Sequence, residues 1–215
     1  EQLTAMRRLQ PLLRDDNQRL ALLLELGQLA EAQAKHQGAD AAAPLIEQAI
    51  DAYSEALTLD PAHELALGSL VALCQLDGRW GLIAETLERA PKTPLFLRTL
   101  AEAYQQLGQP EGLARALDDL LPLLTDQSEI LATLQQLAEM YQRLERPSDE
   151  IRVWERIYEL SPELIFGDSN ILLQLEHRYG ASGRHAEQAS LLQRALSRVD
   201  RPVSKLSPSD ADHKR

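Results

Sequence analysis

The chain repeats itself, and that limits its fold more than any single residue does. Three stretches, Leu100–Leu120, Leu137–Ile157 and Leu175–Ala195, align without gaps. Each carries an apolar residue and then a tyrosine four positions on, at Tyr104, Tyr141 and Tyr179, with anchors 37 and 38 residues apart. Leu70–Ala90 fits the same frame with Cys74 at the tyrosine position, and a fifth copy opens at Leu26-Gly27 and continues through Ala49, Tyr53, Ala56 and Pro61. Leu9–Gly27 also matches Leu120–Ala138 at an offset of 111, three repeat lengths, which sets Met6 where Leu117 stands. The chain is therefore expected to open inside the second helix of an incomplete leading repeat. Self-similarity at this period marks stacked supersecondary units, each unable to bury its apolar face alone.

Within a unit the periodicity is helical. Ile130, Leu131, Leu134, Leu137, Ala138, Tyr141 and Leu144 recur at the spacing of one helix face, and Ile151, Trp154, Ile157 and Tyr158 line a second. Between them stands Arg146-Pro147, with proline suited to the first turn of a helix. Asp77-Gly78, Gly108-Gln109-Pro110 and Ser182-Gly183 mark equivalent turns, and Pro61, Pro91 and Pro162 follow the ends of second helices. Leu supplies about one residue in five while aromatics reach only 4%, a composition that favours helices over strands. About eleven helices are expected.

On these residues the chain resembles the tetratricopeptide repeat, most specifically in "AIDAYSEALTLDP" from Ala49, with Leu26-Gly27 and Leu107-Gly108 as the Leu-Gly pairs. It departs in its 37–38 spacing, in Pro110, Pro147 and His185 at an aromatic position, and in Ala101 and Ala138 at the small position. The resemblance implies an all-α, right-handed superhelical solenoid of antiparallel helix pairs. Its expected divisions are a leading half-repeat (1–14), repeats at 15–61 (with a His36–Ala43 insertion), 62–91, 92–125, 126–162 and 163–200, and a polar tail from Arg201. It also implies a groove lined by first helices. By position the groove-facing side chains are Glu25, Gln28 and Glu31; Ser69 and Gln75; Arg98, Thr99, Glu102, Gln105 and Gln106; Gln135, Gln136, Glu139, Gln142 and Arg143; and Asn170, Gln174 and His177. Glutamine offers donors and acceptors to peptide amides. A merely solvated helix face reads the same way, and the sequence leaves both readings open. The basic clamp with which some members hold a C-terminal carboxylate is missing: its positions hold Leu24, Gln28, Ser69, Leu95 and Thr99.

Little else suggests chemistry. No histidine pair stands at i,i+4, so no zinc site and no cofactor is expected. Cys74, the single cysteine, takes a packing position and reads as a small core residue. Asp15-Asp16 reads as a helix cap and Asp118-Asp119 as solvation. Trp80 and Trp154 read as core, the latter as a wedge into the next hairpin. A net charge of −11 argues against nucleic acid as a partner, and apolar runs such as Leu20–Leu24 are too short to insert in a membrane. No leader is visible, which leaves cytoplasm or periplasm and points to the former. The expected function is a non-catalytic scaffold that binds a protein or peptide in its groove, within a larger bacterial multi-protein assembly. The alternative is a module attached to a catalytic or membrane/export domain outside this sequence. A homo-oligomer, or continuation of the array through the N-terminal end, is the further expectation.

Overall fold

The structure, a computed structural model, describes residues 2–161 and 171–199. Asn170 and the expected tail from Arg201 lie outside the described residues. Among those described there are helices and no strands: α1 (Gln2–Leu9), α2 (Asp16–Ala34), α3 (Ala39–Leu59), α4 (Glu64–Leu76), α5 (Trp80–Arg89), α6 (Pro94–Leu107), α7 (Pro110–Leu120), α8 (Gln127–Arg143), α9 (Pro147–Leu160), α10 (Ile171–Ala181) and α11 (His185–Val199). They fall into two compact units, Glu1–Leu124 and Thr125–Arg215. In the first, α1 packs on α2, and α2 through α7 each pack on the next; in the second, α8 packs on α9, α9 on α10 and α10 on α11. Each unit is thus a stack of antiparallel helix pairs, as the repeats require.

One hairpin joint is built four times. At the end of α4, α6, α8 and α10 a residue takes a left-handed backbone: Gly78 (φ +68), Gly108 (φ +65), Glu145 (φ +54) and Gly183 (φ +69). The amide after it reaches back five residues, Arg79 to the Cys74 carbonyl (2.8 Å) and Gln109, Arg146 and Arg184 to the Tyr104, Tyr141 and Tyr179 carbonyls (each 2.9 Å). The left-handed residue's own amide closes a second bond three residues back. Together these satisfy carbonyls that a helix end leaves without partners. The repeated tyrosine position is therefore the acceptor that turns the chain. Where the ring is present and the next residue is arginine, the two stack: Arg146 lies 4.9 Å from the Tyr141 centroid and Arg184 5.1 Å from that of Tyr179. Cys74 offers no ring, and Arg79 turns instead to Glu47 (3.1 Å through Nη1) and Asp77 (2.5 Å).

First helices start on side-chain caps. Asp15, His63, Thr93 and Asp126 accept from the amides of Gln18, Ala66, Phe96 and Glu129. Pro110 and Pro147 open second helices where no amide partner is needed. The α1–α2 and α7–α8 connections share a proline-bearing 3-10 turn, Gln10–Leu12 and Leu121–Leu123. Leu9, which the offset of 111 aligns with Leu120, is 51% exposed where Leu120 is 3%.

In two pairs the seam is filled by one ring lying on one glycine, from either side. In α2–α3 the ring is Tyr53, and a Cβ on Gly27 would stand 2.6 Å from it; in α6–α7 the ring is Tyr104, and a Cβ on Gly112 would stand 2.5 Å away. The two Leu-Gly pairs therefore differ in role. Gly27 is packed under a ring, whereas Gly108 sits in a turn with open space around it. Neighbouring pairs are tied by further polar contacts. Tyr104 donates to Glu88 of α5 and Tyr179 to Glu155 of α9. Arg178 of α10 pairs with buried Glu150 of α9 at 2.5 Å and lies 5.5 Å from the Trp154 ring centroid. Trp154 is half-buried and does meet the next pair, and Trp80 is half-buried at the start of α5.

Two outcomes follow from the joint and the seam. Glu145→Gly relieves the one left-handed non-glycine among the described residues and should raise stability by about 0.5–1 kcal/mol, measured by urea denaturation. Gly112→Ala should lower it by about 1–3 kcal/mol despite alanine's better helix propensity, because the added methyl meets the buried Tyr104 ring. A neutral or stabilising Gly112→Ala would contradict the seam packing.

Candidate functional site

The first helices of the pairs carry their exposed residues in single stripes. On α2 the stripe is Ala21, Glu25, Gln28 and Ala32, and on α6 it is Leu95, Arg98, Glu102 and Gln105, with Gln106 beside them. On α8 it is Ala132, Gln135, Gln136, Glu139, Gln142 and Arg143. The capping and joint geometry set this rotation: buried Leu100, Ala101 and Tyr104 fix one side of α6, so residues at 98, 102 and 105 must face away.

The candidate residues taken from the sequence are thus exposed on these helices, with particular exceptions. Glu31 is half-buried and faces the Tyr53 hydroxyl together with Ser69 of α4. Burial, aided by the Glu31 charge, pushes the Tyr53 phenol far above its ordinary value, so it stays protonated. Thr99 is half-buried and spends its hydroxyl on the Leu95 carbonyl at 3.1 Å. In α10, His177 is exposed, while the Gln174 side chain is held by Arg178.

In the first unit the stripes lie side by side. Gln75 of α4 donates to Glu102 of α6 at 3.5 Å, and Tyr53 brings Ser69 of α4 to Glu31 of α2. On α4 the structure shows what the carried-over positions missed. Ser69 is half-buried at the margin of its stripe, and Gln75 lies on its flank. The line facing out is Leu65, Gly68, Ala72 and Leu76, at i, i+3, i+7 and i+11. This face is apolar and Leu76 is 87% exposed. Helical periodicity applied to α4 alone would have found it.

Exposed leucines are distributed unevenly. Leaving aside α1 and the 3-10 turns, the large apolar residues exposed among the described ones are Leu65, Leu76, Leu95, Leu107 and Leu173, all on first helices. The second helices α5 and α7 instead show water Glu85, Glu88, Arg89, Glu111 and Arg115. A pocket of about 330 Å³ adjoins the α4 stripe, with Leu73 and Leu76 on one side and Ala42, Ala43 and Ile46 of α3 on the other. It exists because the insertion before Pro44 lets α3 begin early. A second pocket, of about 270 Å³, lies among α5, α6 and α7 and is lined in part by Phe96, Leu100 and Arg115.

Cys74 is fully buried, and burial pushes its thiol up to about 11. Among the described residues no group of three His, Cys, Asp or Glu side chains is placed to hold a metal ion, and no helix is long and apolar enough to cross a membrane.

No protein-family model matches the chain, and no curated protein does. Solved structures with which it aligns include the MamA protein, at 16% identity over 83% of this chain and 90% of that one, with a TM-score of 0.42. They also include YrrB, described as a TPR protein with an unusual peptide-binding site, at 13% identity over 82% and 84% with a TM-score of 0.43. A tetratricopeptide repeat protein from Parabacteroides merdae aligns at 14% identity over 91% and 71% with a TM-score of 0.42.

Cys74 gives a direct check on core placement. In the folded chain at pH 8 a maleimide reagent should label it only as fast as the protein opens, and denaturant should accelerate labelling sharply. Rapid labelling without denaturant would place the thiol on the surface.

Proposed function

We propose that the chain is a non-catalytic scaffold that binds a protein or peptide partner along the exposed stripes of its first helices, as part of a larger assembly. The observation that carries this reading is that, α1 and the 3-10 turns aside, the exposed leucines among the described residues stand on those helices. An exposed leucine gains nothing from water, and a face that gathers several beside uncharged amides has the character of an interface core. Such cores are depleted in charge and enriched in apolar residues. The second helices show the opposite balance, with alternating carboxylates and guanidiniums that are well solvated. The glutamine-rich stripes supply the other requirement. Their side chains can pair with backbone amides of a partner without the desolvation cost of a full charge.

The partner is best obtained by capture on the intact chain from its native cell and then titrated in purified form. Changing Arg98, Gln105, Gln135 and Gln142 together to Ala should weaken binding at least about tenfold, with helicity measured by circular dichroism unchanged. The set Arg89, Arg115 and Arg152, on second helices, should leave affinity within about twofold. The reverse pattern would move the partner to the second-helix face and overturn the proposal.

A further inference from the structure

We infer that the α4 stripe and the pocket beside it form a docking site for a basic amphipathic helix of a partner protein. This rests on the scaffold reading and narrows it to one part of the surface and one chemistry. The apolar element is Leu65, Gly68, Ala72 and Leu76, which recur along one line of the helix. Large residues stand at its two ends and small ones at its centre, so the line is concave along its length. A ridge of apolar side chains on an incoming helix can approach the α4 backbone closely at Gly68 and Ala72, between flanking leucines. At Gly68 a Cβ would meet nothing within 4 Å, so this approach is open from outside. Leu76 belongs both to the stripe and to the pocket of about 330 Å³ formed with Ala42, Ala43 and Ile46, large enough for one bulky apolar side chain at the helix's end.

The charges beside the stripe select the sign of the partner. Glu64 is exposed at its start, Glu25 stands on the adjacent α2 stripe and Glu102, with Arg98 a turn before it, on the adjacent α6 stripe, while α4 itself has no Lys or Arg. At the pocket rim Glu47 and Asp77 are already neutralised by Arg79. Through Glu1–Leu124 there are 18 Asp and Glu against 10 Lys and Arg, so the field of the whole unit has the same sign. A helix with leucines on one face and lysines flanking them meets both requirements. One flanked by glutamates meets the apolar requirement and is repelled.

The test uses the full chain and two fluorescent helical peptides of equal length, one built of Leu and Lys and the other of Leu and Glu, titrated by anisotropy at physiological ionic strength. The Leu/Lys peptide should bind at least about tenfold more tightly than the Leu/Glu peptide. Gly68→Arg fills the centre of the stripe with a like charge and, since the site is open, should leave the melting temperature unchanged. It should cut Leu/Lys binding at least about tenfold, as should Leu76→Gln. Glu25→Lys with Glu102→Lys should reverse the preference between the peptides. Equal binding of the two peptides, no binding of either, or Leu/Lys affinity indifferent to Gly68→Arg would overturn the inference. If the native partner then still depends on Arg98, Gln105, Gln135 and Gln142, the scaffold reading stands and only the α4 assignment falls.

Discussion

In four hairpins one residue carries two obligations at once. Cys74, Tyr104, Tyr141 and Tyr179 each accept, through the backbone carbonyl, the hydrogen bond that reverses the chain, and each is buried through its side chain in the seams of the stack. A helix pair of this length has too little apolar surface to hold itself together, so its stability comes from packing on its neighbours. Coupling the turn to the seam means that the same position fixes where the second helix begins and how deeply the first is buried. Two hairpins vary the arrangement. With cysteine in place of the ring, the Arg79 amide still closes the joint while its side chain turns to Glu47 and Asp77. In α2–α3, where the ring stands on the second helix at Tyr53, the first helix provides Gly27 to receive it and the turn closes separately through the Lys35, His36 and Gln37 amides.

The surface follows from the joint. Once the buried side of a first helix is fixed by the seam, the residues opposite are fixed too, and they form a stripe whose composition is free to vary. On α2 and α8 that freedom holds mainly amides and carboxylates, and on α4 it holds leucine, glycine and alanine. The early start of α3 adds a pocket at one end of the α4 stripe. In such a stack the stripes vary in composition, while the joints repeat.

Much of the architecture was legible in the sequence because burial imposes periodicity. The tyrosine spacing, the turn glycines, Pro110 and Pro147 at helix starts and Asp15 as a cap all appear where the residues indicate. Other features left weaker traces. Glu145 occupies a left-handed joint position without glycine, and only its register with Gly108 and Gly183 marks it. Leu26-Gly27 and Leu107-Gly108 look alike as dipeptides, yet one glycine serves packing and the other a backbone angle, a distinction set by the next helix. The candidate surface residues are exposed on first helices apart from the half-buried Glu31, Ser69, Thr99 and Gln174, with Asn170 beyond the described residues. The α4 stripe was missed because positions carried over from the repeat resemblance name its polar flank, whereas its own period points to Leu65 and Leu76.

The joint is tested most directly by native-state hydrogen exchange at four amides, those of Arg79, Gln109, Arg146 and Arg184. Each donates across a turn of a surface hairpin, where amides ordinarily exchange by local fraying. If the joint locks turn and seam together, these four should be protected nearly as strongly as amides in the middle of their helices, and their opening should depend on denaturant as those do. Fast exchange that ignores denaturant would show that the turns open independently of the packing, and would contradict the account.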